Sequence, residues 1–200
     1  LVPVFAAFLK DFPDVRIELD LSDRLSALAT EGYDLAIRHT ARPPDTHVAW
    51  ALCATESVQV ATRAHIRQHG EPQTPGELQT HNCLHYPRSQ DTPAWTFERR
   101  ESLEAGERVT VPVNGNFAAN NSEALREAAM TGAGIALLPD FSAQAELRKG
   151  QLVRVLPGWK PVGAFAETIY AIRPYAPHVP RAVTALVAHL RSGLAAGFGV

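Results

Sequence analysis

Residues 116–141 read NFAANNSEALREAAMTGAGIALLPDF, and this stretch decides the fold prediction for the whole chain. Asn120, Asn121 and Ser122 are residue types whose side chains accept the first free N–H groups of a helix. Glu123 follows Asn120 by three residues, as the acid does in a capping box. The pattern predicts a helix that begins here, and its N–H groups and dipole would favour an anion.

The same stretch continues into a glycine turn and a short apolar run. Gly132 and Gly134 end the predicted helix, because glycine tolerates the positive φ of a helix C-terminus. Residues 135–138 are all apolar, which is typical of a strand buried on both faces. A dinucleotide-binding fingerprint is the poorer interpretation, since Leu137 occupies the place of its third glycine and the pair follows a helix.

The N-terminal part of the chain predicts helix, strand, helix and strand in turn. Residues 1–12 have one apolar face, and residues 15–21 alternate apolar and charged side chains as a half-buried strand does. Ser22 caps a second helix that closes at Gly32, and residues 34–39 form the next strand. This alternation is typical of βαβ units and predicts a parallel sheet.

The later elements follow from the same cues. Strands are predicted at 48–53, 57–61, 83–86, 95–99, 109–113, 152–156 and 167–173. Helices are predicted at 63–70, 75–79, 142–149 and 179–194. The long strands at 57–61 and 167–172 bracket the middle of the chain, as two crossover strands do when one domain is inserted into another.

Composition limits the classes of protein to consider. The chain has 200 residues, 46% apolar and 20% charged, as in an ordinary soluble globular protein of one or two domains. A formal net charge of −2 without a basic cluster predicts that the chain has no specific DNA affinity of its own. Cys53 and Cys83 lie far apart, which favours reduced thiols over a disulfide framework. Since neither a membrane-length apolar run nor a signal peptide is found, we expect a cytoplasmic protein without membrane contact.

Motifs for catalysis or metal binding are weak. His81, Cys83 and His85 alternate along a predicted strand, but ordinary strand residues are the favoured interpretation because no second ligand pair follows at short spacing. Neither a Gly-x-Ser-x-Gly nor a His-Glu-x-x-His motif is present. We therefore predict no catalytic residue, no metal and no cofactor, and do not expect an enzyme.

Several polar residues stand where a ligand would bind in an open α/β sheet. Arg38, His39 and Thr40 leave the carboxyl end of a predicted strand, next to the crevice that such sheets use for ligands. Arg38 would hold a carboxylate through paired hydrogen bonds, or else it is a solvated side chain that pairs with Asp34 or Asp45. The same choice between ligand contact and structural role applies to Thr55, Tyr86, Arg88, Trp95, Asn120, Asn121 and Ser122.

Three blocks of sequence together resemble the effector-binding domain of LysR-type transcriptional regulators. The first is the stretch described above, from the polar helix start to the apolar strand. The second is GYDLAIR at residues 32–38. The third is HNCL at residues 81–84, followed by WTF at 95–97. Their order and spacing fit the family over nearly the whole chain.

The resemblance implies an α/β fold with two Rossmann-like subdomains and a cleft between them, similar to type II periplasmic binding proteins. Residues 1–58 and 168–200 would form regulatory subdomain I, and residues 59–167 regulatory subdomain II. The first strand of subdomain I would precede Leu1, so the chain is interpreted as a fragment. A small effector, a carboxylate or other organic anion, would bind in the cleft.

The resemblance also implies the partners of the chain. DNA would be bound only through an N-terminal winged helix-turn-helix domain that this sequence lacks. Copies would form a homodimer or homotetramer, with residues 1–21 of one copy against the helix at 122–131 of another. Effector would favour one setting of the subdomains, and the oligomer would transmit it to the DNA-binding domains.

The sequence departs from the family pattern in places. Thr40 stands where the family often has glycine, and Arg63 and His65 replace a proline and a tyrosine that are common after the first crossover strand. The competing interpretation is a free-standing solute-binding protein of the same fold, which an export signal would support. An enzyme on this fold would need a catalytic triad or a cofactor motif.

Overall fold

The structure is a computed structural model, and it describes residues 1–21, 32–87, 92–100 and 108–198. The chain divides into two compact units. The first unit comprises Leu1–Ala54 and Ala166–Gly197, and the second comprises Thr55–Phe165 and Phe198–Val200. The helix predicted to begin at Ser22 lies outside the described residues.

The elements of both units are as follows. The helices are α1 (Val2–Asp11), α2 (Arg63–His69), α3 (Ser122–Met130), α4 (Asp140–Arg148) and α5 (Arg181–Gly193), with a 3-10 helix at Pro75–Thr80. The strands are β1 (Ala36–His39), β2 (His47–Ala54), β3 (Ser57–Ala61), β4 (Cys83–Leu84), β5 (Ala94–Arg99), β6 (Arg108–Pro112), β7 (Ile135–Pro139), β8 (Val153–Arg154), β9 (Trp159–Val162) and β10 (Thr168–Pro174).

In its described residues, the first unit combines two helices with a three-stranded sheet. Strand β10 lies in the centre of the sheet, antiparallel to β1 on one side and to β2 on the other. Helices α1 and α5 contact each other, and the ring of Phe8 packs edge-on against that of His189 with centres 5.4 Å apart. Phe5 and Phe8 are the buried residues of α1, as its apolar spacing predicts.

Two predictions for the first unit are wrong. Residues 15–21 form no strand, and the described sheet of this unit is antiparallel instead of parallel. Alternating side chains become a strand only where a neighbour supplies hydrogen bonds, and no described strand pairs with this segment. Leu19 and Leu21 are accordingly 48% and 82% exposed. The strand predicted at 34–39 is present as the shorter β1.

The four-stranded sheet of the second unit has the order β4-β7-β3-β8. Strand β7 is parallel to β4 and antiparallel to β3, and all five of its residues are buried, which confirms a strand covered on both faces. Ala136 and Leu138 pack in a cluster that includes the buried residues of α3. Ile135 and Leu137 instead pack with residues of the other sheet of this unit.

That other sheet, in the order β6-β5-β9, contains a strand that the sequence did not predict. Strand β9 reads WKPV, and proline usually argues against a strand. The proline is tolerated because β9 is an edge strand of the described sheet. On the side without a neighbouring strand, the missing N–H breaks no hydrogen bond of the sheet. Gln59 also anchors this region, since its Nε2 donates to the carbonyl oxygens of Leu156 and Trp159 at 3.1 and 3.3 Å.

Helix α3 begins one residue later than a capping box at Asn120 predicts. Its N-cap is Asn121, whose side-chain oxygen accepts the N–H groups of Glu123 and the following residue at 2.9 and 3.1 Å. The predicted capping box is therefore wrong, and the Glu123 carboxylate pairs with Arg126 instead. At the other end Gly132 has a φ of +82°, which confirms the predicted glycine turn.

The remaining predicted elements are present, with ends shifted by a few residues. The largest differences are the strands predicted at 83–86 and 152–156, which contain only two residues each, as β4 and β8. Helix α4 begins at Asp140, two residues before the predicted start. None of the helices in the described residues has both the length and the apolar character of a membrane span.

Candidate functional site

A cavity of about 330 Å³ lies within the second unit. Its apolar walls include Trp95, Leu137 and Phe165, and its polar lining includes His85, Tyr86 and Thr96. The rings of Tyr86 and Phe165 meet edge to face with centres 5.2 Å apart. A volume in this range, with a lining that combines aromatic and polar side chains, is compatible with the binding of a small molecule.

The polar groups around the cavity are held by neighbours in the same unit. His85 Nδ1 lies 3.1 Å from the carbonyl oxygen of Cys83, and since a carbonyl only accepts, Nδ1 carries the proton in the neutral ring. The hydroxyl of Thr96 lies 2.9 Å from that of Thr110 on β6. These contacts hold the side chains of His85 and Thr96 in place.

Two residues from the sequence prediction come together here. Tyr86 and Trp95 both line the cavity, and Trp95 is at the same time a member of the buried core, so its two proposed roles are compatible. Arg88 lies outside the described residues. Phe165 was missed, because it lies about eighty residues after Tyr86 in the chain and no motif links the two.

The predicted anion contact at the start of α3 does not line this cavity. Asn120 is exposed, Asn121 caps the helix, and the Ser122 hydroxyl accepts a hydrogen bond from that of Ser142 at 2.8 Å. The cap already uses two of the free N–H groups, and the acidic Glu123 lies in the first turn. An anion would therefore be stabilised mainly by the helix dipole and by the remaining free N–H.

The other predicted residues lie on β1 and at the unit boundary. Arg38 is opposite Tyr170 of β10 in the strand register. Burial lowers the pKa of the neighbouring His39, although a hydrogen bond with the backbone of Ala166 opposes this. Thr40 donates its N–H to the carbonyl oxygen of Thr168 at 3.2 Å.

Asp45 and Thr55 complete the set of residues weighed in the sequence. Asp45 forms an ion pair with Arg42 at 3.0 Å, whereas the sequence analysis considered Arg38 as its partner. Thr55 is buried at the first position of the second unit. Both observations describe structural contacts, and a ligand role for Thr55 stays a prediction.

The structure also reveals a charged cluster around Glu56. Its carboxylate pairs with Arg100 at 3.0 Å and Arg154 at 2.7 Å, and its N–H donates to the Asp140 carboxylate at 3.1 Å. Burial pushes the pKa of Glu56 upward, but the hydrogen bonds and charges of the two arginines outweigh burial and hold this pKa below its usual value. Burial raises the pKa of Asp140. The partners lie far apart in sequence, so no local pattern predicts the cluster.

We expect Glu56→Gln to lower the free energy of unfolding at neutral pH by about 1 kcal/mol, because two partly exposed ion pairs are lost. The folded-state pKa of Glu56 is depressed, so its contribution is present above the ordinary value of 4.5 and is lost as the pH falls through the folded-state pKa. Urea titrations at a series of pH values measure the difference between the two proteins.

Glu98→Gln serves as the control, since within the described ranges Glu98 has one ion pair, with Arg108. It should cost less than Glu56→Gln at neutral pH. A stability difference between wild type and Glu56→Gln that stays constant from neutral pH to about pH 3 would contradict the ion-pair assignment.

In the described residues, no group of three or more histidine, cysteine, aspartate or glutamate side chains could hold a metal ion. Of His81, Cys83 and His85, only Cys83 lies in a strand, β4. Burial raises the pKa of Cys83 to about 12, so its thiol is unreactive. Cys53 and Cys83 are both free.

Comparison with known proteins shows the family of the chain. Residues 1–195 match the family described as LysR substrate binding domain. The chain is 36% identical over 193 residues to the HTH-type transcriptional regulator PtxR of Pseudomonas aeruginosa, covering 96% of this chain and 59% of PtxR. The chain thus spans less than two thirds of the length of this regulator.

Two solved structures show the same fold. Full-length AphB, a Vibrio cholerae virulence activator of the LTTR family, superposes with a TM-score of 0.80 at 26% identity, covering 96% of this chain and 63% of AphB. The regulatory domain of AphB in Vibrio vulnificus gives a TM-score of 0.75 at 25% identity, covering 96% of this chain and 90% of that domain. These matches confirm the α/β fold of type II periplasmic binding proteins with two subdomains. The chain belongs to the LysR substrate-binding domain family.

Proposed function

We propose that this chain is the sensing part of a transcriptional regulator and that it binds a small organic anion as effector. The observation that carries the proposal is the cavity lined by Tyr86, Trp95 and Phe165, in a chain that matches the family over residues 1–195. DNA binding is proposed for another part of the full-length regulator. This chain has a formal net charge of −2, which does not favour DNA by itself.

The proposal names three candidate contacts for the effector: the cavity, the start of α3, which does not line that cavity, and Arg38 of the first unit. The aromatic walls of the cavity suit an apolar or aromatic body, whose burial supplies most of the affinity. The dipole at the start of α3 contributes about 0.3–1 kcal/mol toward a carboxylate. A paired hydrogen bond from Arg38 contributes about 1.5–3 kcal/mol. Each contact is tested separately.

We further propose that copies of the chain associate, and that association transmits the effector state. Exposed apolar side chains of the first unit support this part, since Phe12, Leu19 and Leu21 are all exposed. The proposal requires that these side chains form one contiguous apolar patch, which is the usual mark of a surface that a partner covers. The isologous contact of a dimer would bury such a surface on both copies.

A ligand screen by thermal shift, followed by titration calorimetry, tests the anion proposal. We expect carboxylic acids with an aromatic or branched body to raise Tm, and their neutral amides to bind at least about tenfold more weakly. Arg38→Ala should weaken a binding acid by about tenfold or more, whereas Arg42→Ala, which removes an exposed arginine nearby in the chain, should not.

Two further variants separate the cavity from the α3 start. Phe165→Ala should weaken the same acid because it removes a cavity wall, while Asn121→Ser keeps a capping side chain and should preserve binding better than Asn121→Ala. The proposal fails if amides bind as tightly as acids, or if Arg38→Ala, Asn121→Ala and Phe165→Ala all leave affinity unchanged.

A further inference from the structure

Three histidines of the second unit lie together, on α2 and just before β4. His65 and His69 are four residues apart on α2, and their ring centres are 4.5 Å apart. The ring centre of His81 lies 6.4 Å from that of His65. These three residues, the histidine cluster, neither line the cavity nor belong to the start of α3, so the proposed function gives them no role.

His65 connects α2 to the glycine turn at Gly132, between α3 and β7. Its ring Nδ1 lies 3.0 Å from the carbonyl oxygen of Gly132, and since a carbonyl only accepts, Nδ1 carries the proton in the neutral ring. The start of α2 also lies close to this turn, because a Cβ added at Gly132 would be 3.6 Å from the hydroxyl oxygen of Thr62, the N-cap of α2. A histidine therefore holds α2 on the glycine turn.

Two nitrogens of the cluster, Nε2 of His65 and Nδ1 of His81, are buried without a hydrogen-bond partner among the described residues. Buried polar atoms in native proteins normally have a partner, which makes these two unusual. His65 is only 3% exposed. A proton added to its Nε2 would place a positive charge in a buried position, next to two further imidazoles and without an acceptor in the described part of the chain.

We propose that the histidine cluster is an acid-sensitive latch, which holds α2 on the glycine turn at neutral pH and releases it when the rings take up protons in mildly acidic solution. Protonated rings at these distances repel one another. Release of α2 brings the rings into water, where their charged form is stable. The change needs no ligand, so it is independent of the proposed effector.

The surroundings of the cluster favour neutral rings at pH 7. Burial and then the charge of His69 lower the pKa of His65, although the hydrogen bond to Gly132 opposes this. Burial and then the charges of the other two histidines lower the pKa of His81, against the opposing charge of Glu77 on the 3-10 helix. Geometry and protonation state therefore agree on a closed latch at neutral pH.

The direction of the pH effect follows from these lowered pKa values. As the pH falls through the ordinary value of 6.5, the released form takes up protons before the closed form does. The stabilisation by the latch is therefore complete above pH 6.5 and is lost as the pH falls toward the pKa of the closed form. Arg63 and Arg67 are exposed cations on the same helix throughout this range, so they do not reverse the effect.

Hydrogen exchange of the whole chain at about pH 7.5 and about pH 5.5, followed by mass spectrometry, tests the proposal. After correction for the intrinsic pH dependence of exchange, we expect the protection of residues 66–70 in α2 to fall about tenfold more than that of β7 at the lower pH. In an NMR titration, the ring protons of His65 and His81 should have midpoints below 6.5. His39, whose pKa burial lowers, is kept in every variant, so differences between variants report on the latch.

Three variants separate the latch from a general effect of acid. His65→Asn keeps a donor near the position of Nδ1 but takes up no proton, so α2 should retain its protection at about pH 5.5 to within about twofold. His69→Gln, at an exposed position, removes one charge without opening the core and should reduce the loss of protection at least about threefold. His178→Gln, at an exposed histidine of the first unit, is the matched control and should lose protection as the wild type does.

Circular dichroism verifies the fold of each variant, and His69→Gln alone decides the outcome if His65→Asn does not fold. The proposal is overturned if α2 of the wild type is equally protected at both pH values, or if the ring midpoints of His65 and His81 lie at 6.5 or above. It is also overturned if His69→Gln loses as much protection as the wild type, or if His178→Gln abolishes the loss.

Discussion

Replacing Gly134 with alanine is expected to remove the cooperative unfolding transition of the chain or to lower the free energy of unfolding by about 3 kcal/mol or more. An added Cβ would overlap the carbonyl oxygen of Asn82 and would lie 3.0 Å from the Leu84 side chain. That carbonyl accepts the N–H of Ile135 at 2.9 Å. The backbone therefore cannot move aside without breaking the contact between β4 and β7.

Two glycines of the same unit are matched controls for this variant. Apart from its chain neighbours, no atom of the described residues lies within 4 Å of a Cβ added at Gly158, so Gly158→Ala should be neutral or stabilising by about 0.4–1 kcal/mol. Gly132→Ala should cost about 1–2 kcal/mol, because its φ is +82°. Guanidinium unfolding followed by circular dichroism measures all three. If Gly134→Ala is as stable as Gly158→Ala, the close approach of the two backbones is wrong.

This pair of glycines shows what local sequence can predict. Gly132 and Gly134 both appear in the sequence as residues that end a helix, and only Gly132 has the positive φ of that role. Gly134 is required because a neighbouring strand passes close to it, and a single sequence contains no record of such a long-range approach. Propensity and periodicity report on neighbours within a few residues along the chain.

The short range of these sequence patterns also explains which other structural predictions were correct and which were wrong. Strand β7 and helix α3 were predicted because an apolar run, a polar cap and a glycine turn are local patterns. The parallel pairing predicted for the first unit was wrong, since the direction of a strand depends on its partner and not on its own residues. The fold class came from three blocks in family order, and comparison with solved structures confirmed it.

The candidate site was predictable only in part. Tyr86 and Trp95 were selected because they flank a polar loop, and both line the cavity. The opposite wall comes from residues 162–165, a segment with no motif of its own. The cluster around Glu56 was missed for the same reason, because its partners are 44, 84 and 98 residues away. Long-range contacts of this kind require the packed structure.

Replacing Phe97 with alanine should lower the free energy of unfolding by about 3–5 kcal/mol. Phe97 is 0% exposed and lies in the central strand β5, opposite Val109 on one side and Pro161 on the other. Removal of its ring deletes buried apolar surface and leaves a void that the two neighbouring strands cannot close. Equilibrium unfolding in guanidinium measures the loss as a lower midpoint at unchanged slope.

Phe117→Ala is the matched control, since the same ring is removed at a position that is 41% exposed. It should cost no more than about 1 kcal/mol, because water already contacts much of that ring. Trp95 lies two residues before Phe97 on β5 and belongs to the same cluster, so Phe97→Ala should also weaken ligand binding in the cavity that Trp95 lines. Equal losses of stability in the two variants would contradict the burial of Phe97, since only a buried ring leaves a cavity behind.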